Sequence, residues 1–272
     1  MKLFKSIFTV PMLALALAGG CSNSGKPPES PPENNPAPSQ NNPSTPSAPT
    51  GTVTNRTEQV GDVAYKMYLQ ENANGTNRKG IVLFGSGNSE DDPTTGSLDG
   101  ALENNAASEL AKAGYVAAVV AYRDEPAVKV DDDWNRNCEM LATDMSQVAD
   151  RIIATVGGGL SRNRVVTGGV SYASYALLTN IGGSNTLADP RGVLATCGAT
   201  QDLNPKIPIY SLNCSPNPEG DFNGQALIEK IPNPKVKSDS GFFADTTCNS
   251  HCGGNTNAWT AKLVERVQLW LP

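Results

Sequence analysis

Residues 52–272 are predicted to form an α/β domain, a mostly parallel sheet flanked by helices on both faces, with no segment long enough for a large cap domain. Three observations carry this reading. Gly80-Ile-Val-Leu-Phe84 and Tyr115-Val-Ala-Ala-Val-Val-Ala121 are short continuous apolar runs, the mark of strands covered on both sides. Such runs alternate along the chain with stretches of helical periodicity, as parallel strands joined by crossover helices do. Residues 51–272 also hold 14 of the 16 aromatic residues, and 222 residues suffice for one sizeable core.

The elements follow in order. Residues 57–70 alternate apolar and polar side chains about a glycine, which predicts an antiparallel strand pair. The strand over 80–84 leads into a glycine-rich loop and a helix over 101–113. The strand over 115–121 is followed by a helix over 139–155, and Arg164-Val-Val-Thr167 is a third buried strand. Further strands are expected at 192–196 and 207–212, and helices near 173–181 and 223–231. In the last helix Trp259, Leu263, Val267 and Trp270 form one stripe, ending at Pro272. The acidic run at 131–133 reads as a solvated loop. The sequence shows no internal repeat and no second boundary within this domain.

Residues 22–50 differ sharply from the rest. They contain nine of the 20 prolines, no aromatic residue, and only Ala37 and Ala48 as apolar side chains. Such a segment cannot bury apolar surface, so it is expected to be a disordered linker. At about 30 residues it would span ~30 Å on average, or up to ~90 Å if fully polyproline-like. Ahead of it, Lys2 and Lys5 precede an apolar run from Ile7 to Leu17, about half the ~20 residues that a membrane span needs. This is the make-up of an export signal. Its ending, Ala18-Gly19-Gly20-Cys21, resembles a bacterial lipobox. The resemblance implies cleavage before a lipid-modified Cys21, and Ser22 after it implies the outer membrane in a Gram-negative cell. The expected organisation is a signal peptide at 1–20, a lipid-anchored linker at 21–51 and a domain at 52–272, held at the cell envelope.

Charge and histidine count exclude some functions. The formal charge is −6, and loss of Lys2 and Lys5 with the signal would leave 19 basic against 27 acidic residues. That balance favours solubility and argues against nucleic-acid binding. A single histidine rules out multi-histidine zinc chemistry. Gly85-Ser86-Gly87 lacks the third glycine of a dinucleotide fingerprint, since Glu90 stands there, and the Walker pattern is missing. No cofactor and no metal are expected.

The sharpest motif is Gly169-Val170-Ser171-Tyr172-Ala173, a G-x-S-x-A at the junction of a buried strand and a helix. A nucleophilic serine at such a junction sits on a tight turn, so its neighbours two residues before and after must be small. Ser171 needs a base, and His251 is the one histidine, in a polar loop before the final helix. A carboxylate on a loop after a later strand should orient it. Asp221 is the first candidate, with Glu219 beside it and Asp202 and Asp245 as further alternatives. The N–H of Tyr172 is one oxyanion donor, and a second should come from the loop Phe84-Gly85-Ser86-Gly87-Asn88. Trp134, Tyr172, Phe222, Phe242 and Phe243 are aromatic candidates for an acyl or aryl subsite, or for packing against the core.

With the order Ser171, Asp221, His251, residues 57–272 resemble the small, lidless α/β-hydrolases, with spacing like that of dienelactone hydrolases and of cutinase and polyester-hydrolase relatives. The resemblance implies a serine hydrolase of carboxylic esters and places Ser86 as the first oxyanion donor and Tyr172 as the second. Two positions depart from the pattern: Phe84-Gly85 stands where His-Gly is usual, and the elbow ends in Ala173. An open cleft suits short-chain or polymeric esters. The same triad would serve an amidase or peptidase, and an envelope-binding lipoprotein without catalysis is the alternative from another class. Besides Cys21 there are five cysteines, Cys138, Cys197, Cys214, Cys248 and Cys252, whose pairing the sequence leaves open. Cys214 lies near the acid loop while Cys248 and Cys252 flank His251, and some polyester hydrolases bridge these loops.

Overall fold

In the computed structural model the chain divides into two units, Met1–Thr45 and Pro46–Pro272. The structure describes residues 51–71, 78–87, 96–123, 131–183, 186–187, 190–198, 203, 205–215, 224–248 and 250–272, all within the second unit. The expected signal peptide, Cys21 and nearly all of the linker lie outside the described residues.

Eight strands form one sheet in the order β1-β2-β4-β3-β5-β6-β7-β8. β1 (Val53–Val60) and β2 (Val63–Gln70) are the predicted antiparallel pair, turning at Gly61 with φ of 56°. β2 is also antiparallel to β4 (Val116–Ala121). From there every pairing is parallel, through β3 (Ile81–Gly85), β5 (Val165–Val170), β6 (Val193–Thr196), β7 (Ile209–Cys214) and β8 (Gly241–Asp245).

Strand alternation sorts the core into two layers. Ile81, Leu83, Val116, Ala118 and Val120 face α2 (Asp131–Val156) and α3 (Tyr172–Gly182). Val82, Phe84, Ala117, Val119 and Val166 face α1 (Ala101–Lys112) and α6 (Thr256–Trp270), where the predicted stripe of Trp259, Leu263, Val267 and Trp270 is buried. Short helices α4 (Gly224–Glu229) and α5 (Pro234–Asp239) precede β8.

Three features differ from the sequence reading. α2 begins eight residues earlier than 139, because Trp134 packs against the core and extends the helix through the acidic run. α5 is a local construction: Asn233 accepts from the N–H groups of Lys235 and Val236, with Pro234 at the first turn. β8 is an edge strand of five residues, partly exposed, and so lacks the apolar run that marks the buried strands.

The chain passes from β3 to β4 on one side of β3 and returns to β5 on the other. Loops leaving the carboxyl ends of β3 and β5 therefore diverge, and the crevice at such a switch point is where ligands bind in α/β sheets. Ser86 and Ser171 follow those two strands directly.

Candidate active site

Ser171 sits between β5 and α3 with φ of 50° and ψ of −113°. This left-handed conformation costs a non-glycine residue about 1–3 kcal/mol and persists only where the surroundings impose it. They do so here. The Ser171 N–H donates to the carbonyl of Thr196 on β6 (2.8 Å), and its own carbonyl accepts from Tyr175 N–H (3.1 Å). A serine at a helix start ordinarily turns its hydroxyl back to cap the first turn. Ser171 makes no such cap, and its Oγ lies 2.8 Å from Nε2 of His251, 80 residues along the chain.

The predicted need for small neighbours has a steric basis. A Cβ at Gly169 would lie 2.3 Å from Ser174 N and 2.4 Å from the carbonyl carbon of Ala173. One at Gly198 would lie 2.6 Å from the Ser171 carbonyl oxygen. Ala173 is fully buried, and a Cβ at Gly85 would lie 2.9 Å from its methyl. Alanine is therefore tolerated at the end of the elbow because the facing residue on β3 is glycine.

His251 is exposed, in the loop between β8 and α6. Three clamps fix that loop. Cys214 at the end of β7 is bonded to Cys248, and Cys197 at the end of β6 to Cys252, so a disulfide reaches each side of the histidine. The first joins the end of β7 to the histidine loop, as the resemblance implies; Cys138 is buried on α2 and belongs to neither. The third clamp is Asp245, buried at the end of β8. Its Oδ1 accepts from Thr247 N (2.8 Å) and Oγ1 (2.6 Å), and its Oδ2 from Asn255 N (3.2 Å) and Trp259 Nε1 (2.7 Å). These bonds, that from the Thr247 hydroxyl foremost, hold its carboxyl below the usual range. With four donors on its two oxygens, Asp245 joins the two ends of the histidine loop. Asp221, Glu219 and Asp202 lie outside the described residues, as does Phe222.

The loop after β3 passes against the nucleophile. Ser86 is buried, its Oγ accepting from Ser97 N (2.6 Å) and its carbonyl from Tyr122 Oη (2.7 Å). A Cβ at Gly87 would lie 3.2 Å from Ser171 Cβ and 3.9 Å from its Oγ. The backbone of Ser86-Gly87 is thus held rigid beside Ser171. Tyr172 N–H belongs to the first turn of α3, where amide groups point out of the helix end. Around it the Tyr122 ring stacks on Tyr172 (6.1 Å, 8°), and Trp134 meets Tyr172 edge-on (5.4 Å) and Tyr175 at 5.0 Å. Of the predicted aromatics, Tyr172 thus follows the serine directly and Trp134 packs on its ring. Phe242 and Phe243 lie on β8, Phe243 with Lys262 Nζ 5.9 Å above its ring.

Gly87, Gly198, Tyr122 and the clamp at Asp245 escape sequence reasoning. Gly87 alone carried a signal, the glycine-rich loop. Among the described residues, Cys197, His251 and Cys252 are the one histidine, cysteine or carboxylate trio close enough to converge on an ion, and both sulfurs are in a disulfide. Chemically, the arrangement joins a serine hydroxyl to an imidazole acceptor beside backbone amides, the parts required for acyl transfer.

No family profile and no curated protein sequence matches the chain. Solved structures do. The XC6422 protein of Xanthomonas campestris, described as an α/β serine hydrolase without lid, aligns over 84% of this chain and 99% of its own, with TM-score 0.54 and 16% identity. An arylesterase aligns over 83% of this chain and 87% of its own, with TM-score 0.54 and 11% identity. Esterase 2 of Thermogutta terrifontis aligns over 81% and 93%, with TM-score 0.53 and 13% identity. The sheet order, the helical layers on both faces and these alignments give the chain the fold of the α/β hydrolases without a large cap domain.

Proposed function

We propose that the chain is a serine hydrolase that cleaves carboxylic esters through an acyl-enzyme. The observation that carries this reading is the 2.8 Å contact between Ser171 Oγ and His251 Nε2, made by a serine held at positive φ. His251 accepts the hydroxyl proton as Ser171 attacks the ester carbonyl, and the N–H groups of Ser86 and Tyr172 receive the developing oxyanion. The histidine then gives the proton to the departing alcohol. Water, deprotonated by the same imidazole, attacks the acyl-enzyme, and Ser171 leaves with the proton returned. Asp221, after β7 in the chain, is the carboxylate assigned to hold the imidazole tautomer. Similarity to esterase folds supports an ester over an amide leaving group. Lipid attachment at Cys21 and a linker to residue 51 would hold this domain at the cell envelope, with a small or polymeric ester as its substrate.

Fluorophosphonate labelling of the full chain tests the reading, beside Ser171→Ala and His251→Ala. Labelling and p-nitrophenyl acetate hydrolysis are expected for the wild type alone. Folded wild-type protein that takes no label would overturn it and leave a binding protein. Faster turnover of the matching anilide would move the assignment to an amidase.

A further inference from the structure

The ligand atoms of Cys197, Cys252 and His251 all lie within 4.8 Å of one another. Bonded to each other, the two sulfurs have little to offer an ion. Opened, they become two thiols facing an imidazole, the soft Cys₂His donor set that zinc prefers. Zinc takes sulfur at ~2.3 Å and imidazole nitrogen at ~2.0 Å, so tetrahedral ligand atoms stand about 3.5–3.8 Å apart. The imidazole lies within 4.8 Å of both sulfurs, and the Cα atoms of the two cysteines are 5.4 Å apart, so once the bond opens rotation about the cysteine side chains lets the sulfurs separate to that spacing.

We propose that the Cys197–Cys252 disulfide masks a zinc-type metal site built on His251, which reduction uncovers. The inhibition that follows rests on His251 being the general base; the site itself does not. A phosphine breaks the sulfur–sulfur bond, becoming a phosphine oxide with oxygen from water, and leaves two thiols. Zn²⁺ then binds two thiolates and the imidazole, releasing two protons. Neutral imidazole has one nitrogen lone pair. If the ion takes it at Nε2, Ser171 loses its acceptor directly. If it takes Nδ1, the remaining proton sits on Nε2 and the acceptor is lost equally.

Other anchors keep the three ligands together once the bridge opens. Cys197 N donates to the Leu212 carbonyl between strands (2.8 Å), and Asp245 still ties Thr247 to Asn255. Cys197 is buried, Cys252 half-buried and His251 exposed, so an ion enters from the histidine side. While intact, the disulfide keeps thiophilic metals off the base as well as holding it in place.

The test uses the full chain, reduced with a phosphine and then desalted under argon. Co²⁺ is expected to bind with a thiolate-to-cobalt charge-transfer band at one ion per chain, absent from the oxidised protein. The band should be lost in Cys197→Ser/Cys252→Ser, which keeps Cys214 and Cys248 as background, and weakened in His251→Ala. Should the double variant fail to fold, peptide mapping of wild-type protein decides, since Zn²⁺ should shield Cys197 and Cys252 from iodoacetamide. Zn²⁺ should also cut ester turnover of the reduced enzyme by about 10²–10⁴-fold, the contribution of a general base, with recovery on chelation. No thiolate band and no shielding in reduced wild type would overturn the site, as would an equal band in the double variant. Metal binding by a chain whose oxidised form never hydrolyses esters would uphold the site and sink the hydrolase reading.

Discussion

Replacing Gly169 by alanine tests the coupling of backbone to chemistry. The added Cβ would stand 2.3 Å from Ser174 N and 2.4 Å from the carbonyl carbon of Ala173. Both are backbone atoms of the first turn of α3, so no flexible side chain can yield. To reach an ordinary contact of about 3.4 Å, strand and helix start must separate by ~1 Å. That movement takes the 2.8 Å bond between Ser171 Oγ and His251 Nε2 out of hydrogen-bond range, because the imidazole is clamped from the other side by two disulfides. A misplacement of ~1 Å costs on the order of 10² in rate, and overpacking costs ~1–3 kcal/mol of stability. The control is Gly157→Ala, where φ is 70° and nothing lies within 4 Å. It should lose ~1–2 kcal/mol of stability from the backbone alone and leave turnover unchanged. p-Nitrophenyl acetate kinetics, the fluorophosphonate labelling rate and urea unfolding measure all three effects. Wild-type labelling by a folded Gly169→Ala protein would refute the claim that this glycine sets the serine.

Asp245→Asn should destabilise the domain by about 1–3 kcal/mol, since Thr247, Asn255 and Trp259 lose a charged acceptor. Because the carboxyl is held below its ordinary value near 3.8, its contribution is fully present above that pH and is lost as pH falls through the folded value. Acid unfolding monitored by circular dichroism should therefore become shallower in the variant; an unchanged profile would exclude Asp245 as a clamp. The disulfides are nested, with separations of 55 and 34 residues. With the inner bridge intact the outer one closes a loop of only about 22 residues, worth ~3.3 kcal/mol against ~4.2 when it acts alone. A cycle of serine pairs at Cys197/Cys252 and Cys214/Cys248, followed by urea unfolding, should thus show coupling of about 1 kcal/mol, and strict additivity would contradict the nested arrangement. Gly85→Ala should impair folding, with partial recovery in Gly85→Ala/Ala173→Gly, because the clash at 2.9 Å is removed while those with Met145 and Tyr122 remain.

Where apolar periodicity is the determinant, the sequence was readable. The buried strands β3, β4 and β5 and the helix α6 announce themselves because apolar residues fill most of the positions facing the core. The start of α2 and the edge strand β8 did not, since one Trp134 decides the first and a neighbouring strand the second. At the site, Ser171 and His251 could be paired from chemistry alone, there being one histidine to choose. The roles of Gly87, Gly198 and Gly85 could not, because each depends on an atom far away in the chain that a Cβ would strike. Asp245 shows the same limit: its place near a histidine in sequence gives no sign of the four donors that make it a clamp of the loop.

Those features explain why an exposed histidine can be held to a 2.8 Å contact across 80 residues. A loop of ten residues between β8 and α6 would lose conformational freedom at roughly 1–2 kcal/mol per residue on being fixed, and little apolar burial is present there to offset it. The chain instead applies constraints that do not need a core: two covalent bridges and one buried carboxylate with four donors. Each acts on the histidine side of the site, whereas the serine side is fixed by β5, α3 and the Thr196 carbonyl, inside the packed layers. Damage to the core should therefore reach the reaction through Ser171 together with global stability. Opening the bridges should loosen His251 while the sheet stays folded, so turnover ought to fall in part, without vanishing, under reducing conditions that leave far-ultraviolet dichroism unchanged.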